Sequence, residues 1–274
     1  MDTYNKIKWI ASYPKSGNTW IRMFLNSYVY GGDLNINGFQ QYVWNDLQPT
    51  FMQQLCPVPL NKLSVEEQYL YHPATLNNII QNFPIRCLKT HNAKIAINYI
   101  PAIPLTISDK VLYIVRDPRD ICISIANHFN YSIDAAIEFM GNISQGIEFR
   151  EAKLVHILLT WSDHITSWTD KNDDLDFFVV TFEELLKNPL DIFTDILKFL
   201  DIPYESDRMV HALEQTTFDN LSILEDIHGF IEAPTNCKFF RYGKAGVWKD
   251  VLTNGQADKI ESDHGEMMQN YGYI

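Results

Sequence analysis

Cysteine is scarce: Cys56, Cys87, Cys122 and Cys237 are scattered along 274 residues and form no C-x-x-C pair. That spacing argues against a disulfide framework and fits reduced, mostly buried thiols in a cytoplasmic protein. No apolar run approaches the roughly 20 residues needed to span a bilayer. The charged start Met-Asp-Thr-Tyr-Asn-Lys leads straight into the first apolar run, so neither a membrane span nor a signal peptide is expected. Positive charge is also short. With 22 Lys and Arg against 34 Asp and Glu, the formal net charge is −12, a balance that repels nucleic acid and anionic membrane surfaces. Any anion this protein holds must therefore be gripped by local basic groups. Internal repeats, low-complexity tracts and linkers are missing too, so one domain over residues 1–274 is the economical expectation.

What is present fits a globular enzyme: 46% of the residues are hydrophobic and 13% aromatic, enough to bury a full core. Residues Trp9 to Arg22 pass from an apolar run through Pro14-Lys15-Ser16-Gly17 into helical spacing, which reads as strand, loop and helix. Backbone N–H groups at the start of a helix are unpaired and partly positive, so such a loop suits a phosphate or sulfate. Lys15 adds a full charge, Ser16, Asn18 and Thr19 add neutral donors, and Gly17 lets the backbone come close to an anion. A Walker A sequence is absent, because the lysine precedes the glycine. Alone, the stretch fits equally a plain corner shaped by Pro14 and Gly17 with Lys15 in solvent.

Further elements follow in order. Thr19 to Tyr30 has helical spacing stopped by Gly31-Gly32, and residues 33–62 read as irregular, with a short helix near Leu47 to Leu55. Ser64 to Glu67 forms a capping box, and Pro73 is expected to start a second helix running to Asn82. Ile85 to Thr90 reads as a buried strand ending at His91, which places Lys89 and His91 on one face if the extended geometry persists. Val111 to Val115 is a strand covered on both faces. Asp117 then caps a helix from Pro118 to Phe129, leaving Arg116 at the strand edge and Ser124 two turns into the helix. By themselves these residues fit equally a surface ion pair of Arg116 with Asp120 beside a polar Ser124. Ile133 to Phe149 and Ala152 to Lys171 read as two helices, the second carrying His156 and His164 as ordinary packing or surface residues. Asp176 to Phe182 is another strand, a helix runs from Pro189 to Leu200, and a last helix covers Gln256 to Asn270.

The order Y-P-K-S-G-N-T-W closely resembles the 5′-phosphosulfate loop of sulfotransferases that use 3′-phosphoadenosine 5′-phosphosulfate, PAPS. Lys89-Thr90-His91 is similar to that family's K-T-H, Arg116 with Ser124 to its 3′-phosphate pair, and Arg241 to Lys249 to its R-x-G-x-x-G-x-W-K segment. Thr216-Thr217-Phe218 matches a short T-x-F element of the nucleotide site. Phe182 stands where the family often has a tyrosine against the adenine. The resemblance implies an α/β fold with a central parallel sheet flanked by helices, related to P-loop NTPases. It implies His91 as general base and Lys15, helped by Lys89, stabilising the leaving phosphate. Lys15, Ser16, Gly17, Asn18, Thr19, Trp20, Arg116, Ser124, Thr216, Phe218, Arg241, Tyr242 and Gly243 would bind PAPS, without a metal. The implied acceptor is a small molecule with a hydroxyl group, or an amine, bound by loops near 33–62, 130–150 and 225–240. A nucleotide kinase-like phosphotransferase is the rival enzyme, and a non-catalytic nucleotide-binding protein the rival of another class. Neither the acceptor nor the oligomeric state can be read from the sequence.

Overall fold

Strand β1 (Ile7–Ser12), buried at almost every position, delivers the chain through a short turn to helix α1 (Asn18–Tyr30). The computed structural model describes residues 6–83, 87–149, 154–170, 175–234 and 237–274. Gly31 ends α1 by donating its N–H to the Ser27 carbonyl, the closure expected of a Gly-Gly pair. Within the irregular stretch lie β2 (Val43–Asn45) and α2 (Pro49–Leu55). Helix α3 (Val65–Asn82) opens on the Ser64–Glu67 capping box. It is one helix where two were expected, with Pro73 inside it. Proline removes one backbone hydrogen bond, but the buried stripe Tyr69, His72, Leu76, Ile79 and Ile80 runs on past it and holds the helix together by packing.

Strand β3 (Cys87–Thr90) follows; Ile85 and Arg86, included in the expected strand, lie outside the described residues. A small antiparallel ribbon, β4 (Ala96–Ile97) with β5 (Ile100–Pro101), precedes β6 (Ser108–Val115). Helix α4 (Pro118–Phe129) has the bounds indicated by its Asp117 cap and Pro118 start. The next segment departs from expectation. Helix α5 ends early (Ile133–Gly141), and β7 (Gly146–Phe149) pairs antiparallel with β8 (Leu154–Ile157) before α6 (Trp161–Thr169) begins. Leu154, Ile157, Leu158 and Trp161 happen to fit helical spacing, yet β8 alternates buried and half-buried residues. Leu159 then turns the backbone into the left-handed region at φ 63°, and Thr160 caps a new helix. His156 and His164 therefore sit on a strand and a helix, not on one helix, and both are fully buried. Strand β9 (Asp176–Thr181) leads to α7 (Phe182–Lys187), α8 (Pro189–Phe199), α9 (Ser206–Gln215), α10 (Phe218–His228), α11 (Trp248–Val251) and α12 (Asn254–Asn270).

The architecture is α/β, with a central parallel sheet in the order β2-β3-β1-β6-β9 flanked by helices. In the β1–β3 pairing Ile10 lies opposite Lys89 and Ala11 opposite Thr90. The chain divides into two packing units. One comprises Met1–Tyr13, Trp44–Tyr113 and Asn142–Val179, and the other Pro14–Val43, Ile114–Gly141 and Val180–Ile274. The first holds most of the sheet and a core built on Trp9, Tyr69, Tyr113, Trp161 and Trp168. Its Trp9 indole donates to the Ser108 hydroxyl at 2.8 Å, so even this buried ring is satisfied. In the second unit, Phe24 stacks on Phe193 with centroids 3.7 Å apart. A neighbouring apolar cluster joins Met23, Leu34, Ile36, Phe39, Leu221 and Phe230.

Candidate active site

The second unit carries the anion loop. Lys15 (φ 68°) and Gly17 (φ 106°) both adopt left-handed backbone, which costs a non-glycine residue about 1–2 kcal/mol. Such alternation makes the concave backbone that binds anions. The strained turn is held by Arg116, whose Nη1 donates to the Lys15 carbonyl at 3.1 Å. Gly17 admits no side chain, since a Cβ there would fall 2.7 Å from the Phe182 ring. Phe182 also lies under the Arg116 guanidinium, 4.3 Å away. Beyond the turn, the buried Asn18 is the first residue of α1, and Trp20 meets Phe182 and Phe193 edge-on.

Lys15 Nζ sits 3.8 Å over the centre of the Phe239 ring and donates to His128 Nδ1 at 3.3 Å. Burial, offset in part by Glu232 and reinforced by Arg116, lowers its pKa to about 7. Thr19 donates to Glu232 at 3.0 Å, and Arg22 does the same from the other carboxylate oxygen's side. Ser16 Oγ, Trp20 Nε1 and Arg116 Nε are buried without a hydrogen-bond partner among the described residues. Three orphaned donors around one loop call for an acceptor.

Arg116 lies 4.0 Å from Asp120. The Asp120 carboxylate in turn accepts from the Gly246 and Trp248 N–H groups at 2.7 and 2.9 Å. The start of α4 is thus tied to the basic C-terminal segment. Gly243 (φ 61°) packs so closely on the Phe218 ring that a Cβ would overlap it. Thr216 is buried, with its hydroxyl donating to the Ala212 carbonyl. Ser124 and Phe218 are half-buried, while Arg241 and Tyr242 are exposed, the arginine lying 5.5 Å over its neighbour's ring. Every residue expected to bind the nucleotide belongs to this second unit.

The first unit carries His91 and Lys89. Lys89 is buried, whereas His91 is half-buried just past the end of β3. His91 Nδ1 is 2.8 Å from the Ser12 carbonyl oxygen. A carbonyl only accepts, so Nδ1 bears the proton and Nε2 keeps its lone pair. Burial, with smaller effects from the Lys89 and His156 charges, pushes the pKa of His91 well below the usual histidine value. The His91 carbonyl accepts from His164 Nε2 at 3.1 Å, and His164 Nδ1 accepts from the Tyr113 hydroxyl at 2.6 Å.

A profile described as "Sulfotransferase domain" matches residues 7–272. The chain belongs to the sulfotransferase family. Sulfotransferase 1A1 of Rattus norvegicus is 26% identical over 279 residues, covering 94% of this chain and 83% of that one. The amine sulfotransferase of Oryctolagus cuniculus is 20% identical, covering 96% and 80%. Among solved structures, a mouse sulfotransferase complexed with PAP has a TM-score of 0.64 at 18% identity, covering 97% of this chain and 84% of that one. Retinol dehydratase in complex with androsterone and PAP gives 0.63 at 20%, covering 95% and 80%. Both share the fold.

Some residues of each unit that surround the candidate groups left no mark in the sequence. Phe239 and Glu232 come from a stretch without periodicity, and His128 stands in the last turn of α4, where a basic residue is ordinary. Asp46 is the least legible. It lies in the irregular stretch before α2, yet its fully buried carboxylate accepts from His156, Thr90, Asn92 and the Leu47 N–H. Burial would raise its pKa, but His156, His72 and Thr90 together hold it low, so the carboxylate stays ionised.

Proposed function

We propose that residues 1–274 act as one domain that moves a sulfuryl group from PAPS to a hydroxyl of a small-molecule acceptor. An amine is the second choice. The observation that carries this reading is the orphaned donor set of the anion loop: Ser16 Oγ and Arg116 Nε, buried without partners around a strained turn at the start of α1. On this reading the 5′-phosphosulfate falls to residues 15–20, with Lys15, Ser16, Gly17, Asn18 and Thr19 supplying charge and donors. Arg116, Ser124, Arg241, Tyr242 and Gly243 would hold the 3′-phosphate, where a guanidinium can clasp two oxygens at once. Trp20, Thr216 and Phe218 would receive the adenine. Glu232 would have to release Thr19.

When bound, the donor supplies an activated sulfuryl group on a nucleotide leaving group. His91 takes the acceptor's proton at Nε2, since Nδ1 is committed to Ser12. Its lowered pKa keeps that nitrogen unprotonated at neutral pH. Lys15, aided by Lys89, meets the negative charge of the departing phosphate. Positive charge on this account comes from lysine, arginine and backbone N–H groups, with no metal. The acceptors named with retinol dehydratase, androsterone and retinol, support a small hydroxylated compound. The amine sulfotransferase among the relatives keeps nitrogen in view.

Incubation with labelled PAPS and a panel of phenols, alcohols and amines tests the reading. We expect label in at least one acceptor, together with stronger thermal stabilisation by 3′,5′-bisphosphoadenosine (PAP) than by magnesium–ATP. No transfer, combined with a preference for magnesium–ATP, would favour a phosphotransferase instead.

A further inference from the structure

Beneath His91 lies a polar network that the chemistry above does not use. The Asp46 N–H donates to the Lys89 carbonyl at 3.0 Å. One carboxylate oxygen, Oδ2, accepts from Thr90 Oγ1 at 2.7 Å and from Asn92 Nδ2 at 3.0 Å. The other, Oδ1, accepts from His156 Nε2 at 2.7 Å. One residue thus grips positions 89, 90 and 92, which leaves His91 bracketed on both sides. The Thr90 hydroxyl also accepts from the Asn92 N–H at 2.9 Å, closing a ring of bonds around position 91.

Asn92 is held further from within the same unit. Asn92 Oδ1 accepts from the Tyr69 hydroxyl and the Ile157 N–H, and the Asn92 carbonyl accepts from the Trp168 indole at 2.9 Å. The His156 ring meets the His91 ring nearly at right angles, 5.8 Å between centroids. A buried carboxylate costs several kcal/mol to strip of water, and apolar residues of similar volume often replace such groups without loss of stability. What an apolar replacement could not do is pull the two flanks of His91 onto one oxygen.

We infer that Asp46 is a positioning residue for the reaction, its carboxylate fixing the Thr90–Asn92 segment and thereby the direction in which the His91 imidazole points. The inference rests on the sulfuryl-transfer reading for the task of His91. It differs from that reading in being about alignment rather than proton transfer. A misplacement of about 1 Å in a reacting group can cost about 100-fold in rate.

The test compares Asp46→Asn, Thr90→Val and Thr90→Ser with the wild type. Thr90→Val removes one bond to Oδ2 at nearly constant volume, so it reads the bracket even if Asp46→Asn fails to fold. Three quantities are measured: kcat with PAPS and an acceptor from the panel, the affinity for PAP, and the long-range nitrogen–proton NMR pattern of the His91 imidazole. We expect kcat to fall about 100-fold in Asp46→Asn and about 10-fold in Thr90→Val. Affinity for PAP should stay within twofold, because the residues assigned to hold the bound nucleotide, Lys89 excepted, lie in the other packing unit, and Lys89 is met by Asp46 at its backbone carbonyl. The NMR pattern should change from one tautomer to a mixture, and Thr90→Ser should recover both rate and pattern. An unchanged His91 pattern overturns the inference, as does a loss of PAP affinity parallel to the loss of rate. If the wild type transfers no sulfuryl group at all, the functional reading fails by itself, and the NMR pattern alone decides on Asp46.

Discussion

The imidazole of His91 is anchored through Nδ1 to the carbonyl of Ser12, 2.8 Å away, and Ser12 closes the strand that leads, three residues on, to Lys15. One hydrogen bond thus fixes which nitrogen can accept a proton. His91→Gln should lower kcat by about 100- to 10,000-fold, the range for loss of a general base, while affinity for PAP stays near normal. The pH profile follows from the lowered pKa. The base is unprotonated throughout the neutral range, so the acid limb of kcat/KM should lie below pH 6.5. A limb above pH 6.5 would exclude His91 as the titrating group.

Lys15 poses a different test, because its pKa of about 7 belongs to a site without an anion. A bound phosphate or sulfate favours the ammonium form. At pH 8, where most Lys15 is neutral, binding of PAP should therefore take up close to one proton. Calorimetry in buffers of different ionisation enthalpy measures that uptake directly. Lys15→Met should abolish it and lower kcat about 100- to 1,000-fold.

The elements that announced themselves in the sequence were those whose cause is local. The strand–loop–helix at Trp9 to Arg22 and the Asp117-Pro118 helix start each depend on residues adjacent in the chain, and both formed with nearly the expected bounds. Where the cause is distant, the sequence was silent or misleading. Asp46 and His156 are 110 positions apart and acquire meaning only when the fold pairs them. Leu154 to Trp161 carried helical spacing across what became a strand, a left-handed Leu159 and a new helix start, because that spacing does not tell which neighbours will bury the residues.

Arg116 should distinguish nucleotides by their 3′-phosphate. Charge-assisted hydrogen bonds contribute about 1.5–3 kcal/mol, so Arg116→Ala should weaken PAP about 10- to 100-fold and adenosine 5′-monophosphate much less. Since Arg116 also braces the Lys15 carbonyl, equal weakening of both nucleotides would assign it to the loop alone.

Gly243 and Phe218 make a paired prediction. The glycine sits at φ 61° with its α-carbon against the ring, so Gly243→Ala must push Phe218 aside. Stacking of a base on an aromatic ring is worth about 1–3 kcal/mol. Affinity for PAP should fall about 10- to 100-fold, whereas affinity for free pyrophosphate, which has no base to stack, should hardly change.

Acid stability should betray the buried histidines. Burial pulls the pKa of His164 down to about 3, against small opposing help from the His91 carbonyl, and His72, His91 and His156 are shifted the same way. The unfolded chain, with histidine near 6.5, binds these protons more readily than the folded one. Stability from His164 is therefore complete above pH 6.5 and is lost as pH falls towards 3, by about 1.4 kcal/mol per pH unit. Urea unfolding at pH 6.5 and 5 should show a drop that His164→Gln reduces by about 2 kcal/mol, whatever the variant does to stability at pH 7.5. Asp46 acts later: the stability its lowered pKa supplies is complete above the ordinary aspartate value of about 3.9 and is lost only as pH falls below it. A pH dependence between 6.5 and 5 that is identical in wild type and variant would mean that His164 takes up its proton as readily in the folded protein as in the unfolded one. Its bond to the Tyr113 hydroxyl would then have to run in the opposite direction, with Nδ1 donating.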